Sequence, residues 1–188
     1  MINRLIIVGG ANGVGKTTFA YQYKQEYGID YLGADEIAKE ISNAFSGNIE
    51  LRAGKEFFRR LEEYLKRNRS VIIESTLSGL GLVKKIREFK SIGYSIRIVY
   101  VFLNDVDICK KRIQFRVKKG GHDVPSIDIE RRFHRSLKIF KKVYMPLSDE
   151  WQIFYNGLKR PIEVAIGQKK ETLVFEEEFY NTFEELCK

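Results

Sequence analysis

Lys16, Thr17 and Thr18 close a glycine-rich run, Gly10-Ala11-Asn12-Gly13-Val14-Gly15. Residues Gly10 to Thr17 satisfy G-x-x-x-x-G-K-[ST], the spacing of a phosphate-binding loop. Such a loop turns successive backbone N–H groups toward a polyphosphate, and glycines keep side chains out of that approach. It delivers the phosphates to a helix N-terminus, where unpaired donors and partial positive charge favour anions. In this arrangement Lys16 reaches the β- and γ-phosphates and the Thr17 hydroxyl ligates Mg²⁺. The nine residues from Gly10 to Thr18 are therefore the expected nucleotide site, with ATP or GTP as the nucleotide.

Carboxylates and arginines elsewhere in the chain complete the set. Asp35 follows a short strand-like segment, Gly28 to Leu32, and opens a helical one. It suits either a helix N-cap or a general base toward an acceptor hydroxyl. Glu74 ends the apolar run Val71-Ile72-Ile73, so it emerges where ligands bind in open parallel sheets. There it suits contact with metal-bound water or an acceptor hydroxyl, against the plainer reading of an exposed strand-end acid. Arg112 and Arg116 stand four residues apart on one helix face. Next to them Gly120-Gly121 supplies a hinge, which a closing lid requires. His122 reads as a loop residue near substrate, and His134 and Trp151 as structural.

The elements that must position these groups alternate in type. Leu5–Val8, Gly28–Leu32, Val71–Ile73, Ser95–Leu103, Trp151–Tyr155 and Ile162–Ile166 have strand character. Between them lie helical patterns, among them Ile49 to Arg67, with Ala53, Phe57, Leu61 and Leu65 every four residues and Phe58 alongside. Asp105 is placed to cap the helix running to Val117, and Ser126 one running to about Tyr144 that Pro146 stops. A final amphipathic helix carries Phe175, Phe179 and Phe183. Strands alternating with helices predict an α/β fold: a parallel sheet with helices on both faces.

With 188 residues the chain is expected to be one domain bearing a small lid at about residues 112–135. Cys109 and Cys187 form no metal or redox spacing, which points to a reduced, cytoplasmic setting. No apolar run reaches the length of a bilayer span. The net charge of +8 is concentrated: residues 110–142 hold twelve Lys/Arg against Asp123, Asp128 and Glu130. Because a nucleotide is already implied, a phosphate-handling lid explains that stretch more economically than nucleic acid does. Its charged face also lacks the interleaved aromatics that single-strand binders use.

These segments together resemble the zeta-toxin-like P-loop kinases. The likeness rests on Gly10 to Thr18, on Ala34-Asp35-Glu36-Ile37-Ala38, and on Glu74-Ser75-Thr76-Leu77-Ser78-Gly79. It continues through Arg116 to Pro125 and Arg131-Arg132-Phe133-His134-Arg135-Ser136-Leu137. The resemblance implies a kinase-type strand order, 2-3-1-4-5, with a helical lid. It also implies an ATP-dependent phosphotransferase in which Asp35 is the general base and Arg116 contacts the transferred phosphoryl group. A second lid arginine is expected among Arg112, Arg131, Arg132 and Arg135. The acceptor it suggests is a small sugar- or nucleotide-like molecule, of which a nucleotide sugar is one, and an antitoxin-like protein partner belongs to the same expectation.

Overall fold

The computed structural model describes residues 2–42, 48–121, 123–168 and 171–188, apart from the side chain of Glu50. In β1 (Arg4–Gly9), Leu5, Ile6, Ile7 and Val8 have no solvent exposure at all. A strand that is apolar on both faces must be covered on both, so it takes an interior position in a sheet. β1 pairs in parallel with β3 (Val71–Ser75) on one side and β4 (Ser95–Phe102) on the other. β2 (Asp30–Leu32) lies outside β3, and β5 (Glu150–Tyr155) outside β4, both in parallel. These five strands follow the expected order 2-3-1-4-5.

The sheet then continues beyond the wholly parallel one expected. β6 (Ile162–Gln168) and β7 (Glu171–Val174) add to β5 antiparallel, giving a mixed sheet of order β2-β3-β1-β4-β5-β6-β7. The cause is connection length. Only residues 156–161 join β5 to β6, enough for a hairpin but too few for the crossover that a parallel neighbour demands.

Helices cover both faces, and β5 shows how, because successive side chains point opposite ways. Phe154 faces α1 (Lys16–Tyr27), its ring 5.0 Å from that of Phe19. Tyr155 faces α8 (Glu177–Leu186), stacked at 4.4 Å on Phe179. On that second face Tyr100 of β4 stacks on Phe140 at 3.9 Å, and Phe102 packs against Phe183. Phe133, Leu137, Phe140 and Tyr144 are all buried, as their spacing predicts. Each such side chain removed from water contributes about 1.5–3 kcal/mol.

The remaining helices are α2 (Ala34–Ser42), α3 (Ile49–Lys66), α4 (Val83–Ser91) and α5 (Val106–Lys118). α6 (Ser126–Ile139) widens into a π-helical turn at Phe140–Tyr144 and ends in the short α7 (Met145–Leu147). Asp105 caps α5 as expected, accepting from the Asp107 N–H at 2.8 Å. Two other capping expectations are corrected. Pro125, not Ser126, occupies the N-cap of α6, where no side chain caps. Pro146 stands inside α7 rather than stopping the helix before it. Phe175 precedes α8 and is 48% exposed, so it does not belong to that helix's buried stripe.

Candidate active site

The C-terminal ends of β1 and β3 open into one cleft of about 710 Å³, within the range of small-molecule sites. Local sequence explains the wall that the glycine-rich loop forms. Gly10 has φ +138°, and a Cβ there would lie 2.2 Å from the Val101 carbonyl oxygen. Gly15 has φ +102°, and its Cβ would meet the Asn156 amide at 2.5 Å. The loop is thus pressed against β4 and the segment after β5, and only glycine permits both the conformation and the approach. α1 begins at Lys16 with no side chain capping it, which leaves its N-terminal donors for an anion.

Lys16 bends back so that Nζ donates to the Ala11 carbonyl at 2.9 Å. Burial lowers its pKa, and the neighbouring charges of Glu74 and Asp35 oppose that effect. The Thr17 hydroxyl donates to Glu74 Oε2 at 3.2 Å, while the Tyr31 hydroxyl donates to Oε1. Burial raises the Glu74 carboxyl pKa, and Lys16, Tyr31 and Thr17 act against the rise. With its proton given to Glu74, the Thr17 oxygen keeps lone pairs with which to bind a cation. Thr17 and Glu74 therefore offer hard oxygen donors that fit Mg²⁺, an ion that takes few protein ligands and completes its shell with water and phosphate oxygens. Among the described residues no group of three or more His, Cys, Asp or Glu is placed to hold a metal, so a dedicated protein cage is not what this site offers.

Asn12, Gly13, Gly15, Lys16, Thr17 and Thr18 line the cleft, as do Asp35, Glu74, Arg112 and Arg116. Gly10, Ala11 and Val14 are buried behind them, with Ala11 and Val14 in the core. Asp35 lies in the first turn of α2, one residue past its start at Ala34, so the N-cap reading is corrected. The Arg112 guanidinium donates to the Asn156 carbonyl at 2.8 Å. Of the competing lid arginines, Arg132 also lines the cleft and reaches the Asn12 side chain at 3.4 Å; Arg131 instead pairs with Asp128 on the surface. His122 lies outside the described residues.

Several lining residues escaped the sequence reading. Asn156 donates through its side chain to the Val14 carbonyl at 2.8 Å and through its backbone to Phe102, strapping the phosphate loop to the sheet. Tyr31 stands on the short strand β2, and Tyr144 sits in the π-helical turn with its hydroxyl on the Gly79 carbonyl at 2.6 Å. Phe57 and Phe58 line the cleft from α3. Phe58 carried a signal, since it breaks the every-four spacing that accounts for Phe57.

The family model described as an AAA domain matches residues 5–138, from the buried start of β1 into α6. The chain belongs to that AAA-domain family. A protein of Haemophilus influenzae (strain ATCC 51907 / DSM 11121 / KW20 / Rd), itself uncharacterized, is 29% identical over 133 residues, covering 71% of this AAA-domain protein and 94% of the relative. The crystal structure of the AvrRxo1-ORF1:-ORF2 complex superposes with a TM-score of 0.74 at 16% identity, over 99% of this chain and 64% of that one. The AAA-domain protein thus spans less than two thirds of the AvrRxo1 chain. The PezAT toxin-antitoxin system of Streptococcus pneumoniae gives 0.63 at 16% identity, over 98% and 86% of the two chains. These likenesses show a P-loop kinase-like fold, the fold of the zeta-toxin-like proteins. Such a fold implies nucleotide binding, and the AvrRxo1 complex has also been solved with ATP. No helix among the described residues is long and apolar enough to cross a membrane.

Proposed function

We propose that this AAA-domain protein is a phosphotransferase that moves the γ-phosphoryl group of ATP (or GTP) to a hydroxyl of a small acceptor. One observation carries the reading: Lys16, Arg112, Arg116 and Arg132 share a single cleft with the carboxylate of Asp35. An NTP-binding switch needs the cations, whereas a transferase also needs a group to hold the incoming hydroxyl.

In this mechanism the loop from Gly10 to Thr18 and the α1 N-terminus hold the β- and γ-phosphates, and Lys16 neutralises their oxygens. Thr17 and Glu74 would hold Mg²⁺, which supplies charge neutralisation on the phosphate oxygens when bound. Arg116, with Arg112 and Arg132, faces the equatorial oxygens of the transferred group. Asp35 orients the acceptor hydroxyl. The acceptor oxygen bonds to the γ-phosphorus as that phosphorus parts from the β–γ bridging oxygen. ADP leaves, and the hydroxyl proton passes to Asp35 and then to water.

Residues at about 112–135 act as the lid in this reading. The basic stretch supports that role over nucleic acid, because acidic partners interrupt it. Lys110 pairs with Asp107 and Glu130, Arg131 with Asp128, and Lys141 with Glu184. A protein partner of the antitoxin kind is a second reading, favoured by the AvrRxo1-ORF1:-ORF2 and PezAT neighbours. Capture from the native host with the tagged protein, retained in high salt, tests it.

The transferase reading is tested with labelled ATP and pooled metabolites, read for a new phosphorylated species that Lys16→Ala abolishes. The expected loss of ATP affinity in Lys16→Ala is at least tenfold, about 1.4 kcal/mol, and retention within about threefold of wild type overturns the reading.

A further inference from the structure

The cleft is divided by charge. Its described lining holds four cations, Lys16, Arg112, Arg116 and Arg132, and three of them bond to the phosphate loop or to the residue that straps it. Lys16 is bonded to Ala11, Arg132 to Asn12, and Arg112 to Asn156, which is itself bonded to Val14. Arg116 stands close enough to Lys16 for its charge to act on that ammonium. Asp35 and Glu74 are the carboxylates of the lining, and the rest of it differs in kind.

Phe57, Phe58, Leu82 and Tyr144 form its apolar part, with the hydroxyls of Thr76 and Ser78 and the open backbone of Gly54, Gly79 and Gly81 between them. None of these side chains is charged, and Lys16, Arg112 and Arg132 bond to Ala11, Asn156 and Asn12 rather than to them. Phe57 and Phe58 stand edge-on, centroids 5.4 Å apart at 83°, so they present aromatic surface in two orientations. The Tyr144 hydroxyl is spent on the Gly79 carbonyl. Thr76 and Ser78 bond each other at 2.8 Å, and the pair keeps one proton and several lone pairs for a ligand hydroxyl.

An anion set among these groups would draw no charge from them, and a charge taken from water without a partner is costly. The carboxylates of the lining would repel it as well. An uncharged ring with hydroxyls meets every group there: its flat face lies against the aromatic rings and its hydroxyls meet Thr76, Ser78 and Asp35.

We infer that the acceptor is an uncharged alcohol built on a ring with a flat apolar face, a nucleoside or glycoside in class, rather than a sugar phosphate, nucleotide or nucleotide sugar. The inference rests on the transferase reading and narrows it. It also turns away from the nucleotide-sugar acceptor that the family resemblance suggested.

The test offers the full-length protein two matched panels with Mg-ATP. One holds neutral nucleosides and aryl glycosides, and the other holds the corresponding nucleoside monophosphates, sugar phosphates and nucleotide sugars. Phosphorus NMR reads new phosphomonoesters, and calorimetry reads acceptor binding with a non-hydrolysable ATP analogue present. The expected result is a neutral acceptor favoured by at least about tenfold in kcat/KM over its phosphorylated counterpart, nucleosides and glycosides being told apart by the member that turns over. Phe58→Ala should raise the acceptor KM about tenfold with the ATP KM unchanged, and Phe58→Leu should restore most of it.

Preference for an anionic acceptor overturns the inference, and so does failure of every neutral member to bind. An acceptor KM that Phe58→Ala leaves unmoved overturns the apolar wall. Failure of the transferase reading looks different: a neutral ring binds in a Phe58-dependent way, yet ATP neither binds nor transfers phosphate.

Discussion

One buried hydroxyl holds the Thr76 backbone in the cleft wall, and its energetics can be worked out from proton counting. Ser136 is fully buried in α6 and contacts two oxygens, the Thr76 carbonyl at 2.5 Å and the Tyr100 hydroxyl at 2.8 Å. A serine has one proton, and a carbonyl can only accept. Ser136 therefore donates to Thr76, and Tyr100 must donate to Ser136. Ser136→Ala strands the Tyr100 O–H, which is 1% exposed, and removes the donor from Thr76. Leaving a buried donor unmet costs about 1–3 kcal/mol, to which the lost Thr76 bond adds roughly 1 kcal/mol. Tyr100→Phe is milder, because Ser136 keeps its bond to Thr76 and only a lone pair goes unused. We expect about 2–4 kcal/mol for Ser136→Ala, about 1 kcal/mol for Tyr100→Phe, and a double variant no worse than Ser136→Ala alone. In a chain of this length each kcal/mol moves Tm by about 2–4 °C, so urea and thermal unfolding of the four proteins resolve the cycle. Strict additivity, with the double variant at the sum of the singles, would refute the donor directions. So would Tyr100→Phe being the more damaging single change.

Three further expectations concern the site. Asp35→Asn should lower phosphoryl transfer by about 10²-fold or more and leave ATP binding unmoved; since Asp35 is not the cap of α2, stability should change by no more than about 1 kcal/mol. Unchanged kcat would move the base to Glu74. Glu74→Gln should raise Tm at neutral pH: the Glu74 pKa lies above its ordinary 4.5 in the folded protein, so its contribution to stability is whole below that value and lost as pH rises through the raised one. The Tm difference should close as pH falls below about 4.5, and a variant less stable than wild type at neutral pH contradicts the burial argument. Hydrogen exchange across residues 110–142 should slow when a Mg-ATP analogue is added, whereas protection by short RNA or DNA in a salt-sensitive manner would refute the lid.

The glycine-rich side of the cleft was legible because its pattern is local. One stretch from Gly10 to Thr18 carries the loop, the lysine and the hydroxyl, and the strand before it announces itself by being apolar throughout. Arg112 and Arg116 both line the cleft, as two arginines one helical turn apart on a single face can. Asn156 was not legible, because nothing near it in sequence marks it; its meaning comes from Val14, 142 residues away. Phe57 and Phe58 were read as core-facing, and Phe57 is core, yet the edge of a core is also where a cleft begins. β6 and β7 show another limit. The apolar pattern of Ile162–Ile166 fits a strand of either direction, and only the brevity of residues 156–161 decides between them. The capping expectations at Asp35 and Ser126 went astray by one or two residues, because any of several polar residues near a helix start satisfies the same preference.

The strap at Asn156 bears on where this protein can be divided. The segment that defines the family ends at residue 138, before β5 begins. Yet the Val14 carbonyl and the Arg112 guanidinium both find their partner on the far side of that limit. A fragment cut at the family boundary would keep the phosphate-loop sequence whole and lose the residue that holds it down, together with the last parallel strand behind it. In this chain the recognisable module and the working module are different lengths, and domain grafting or truncation should be planned on the longer one.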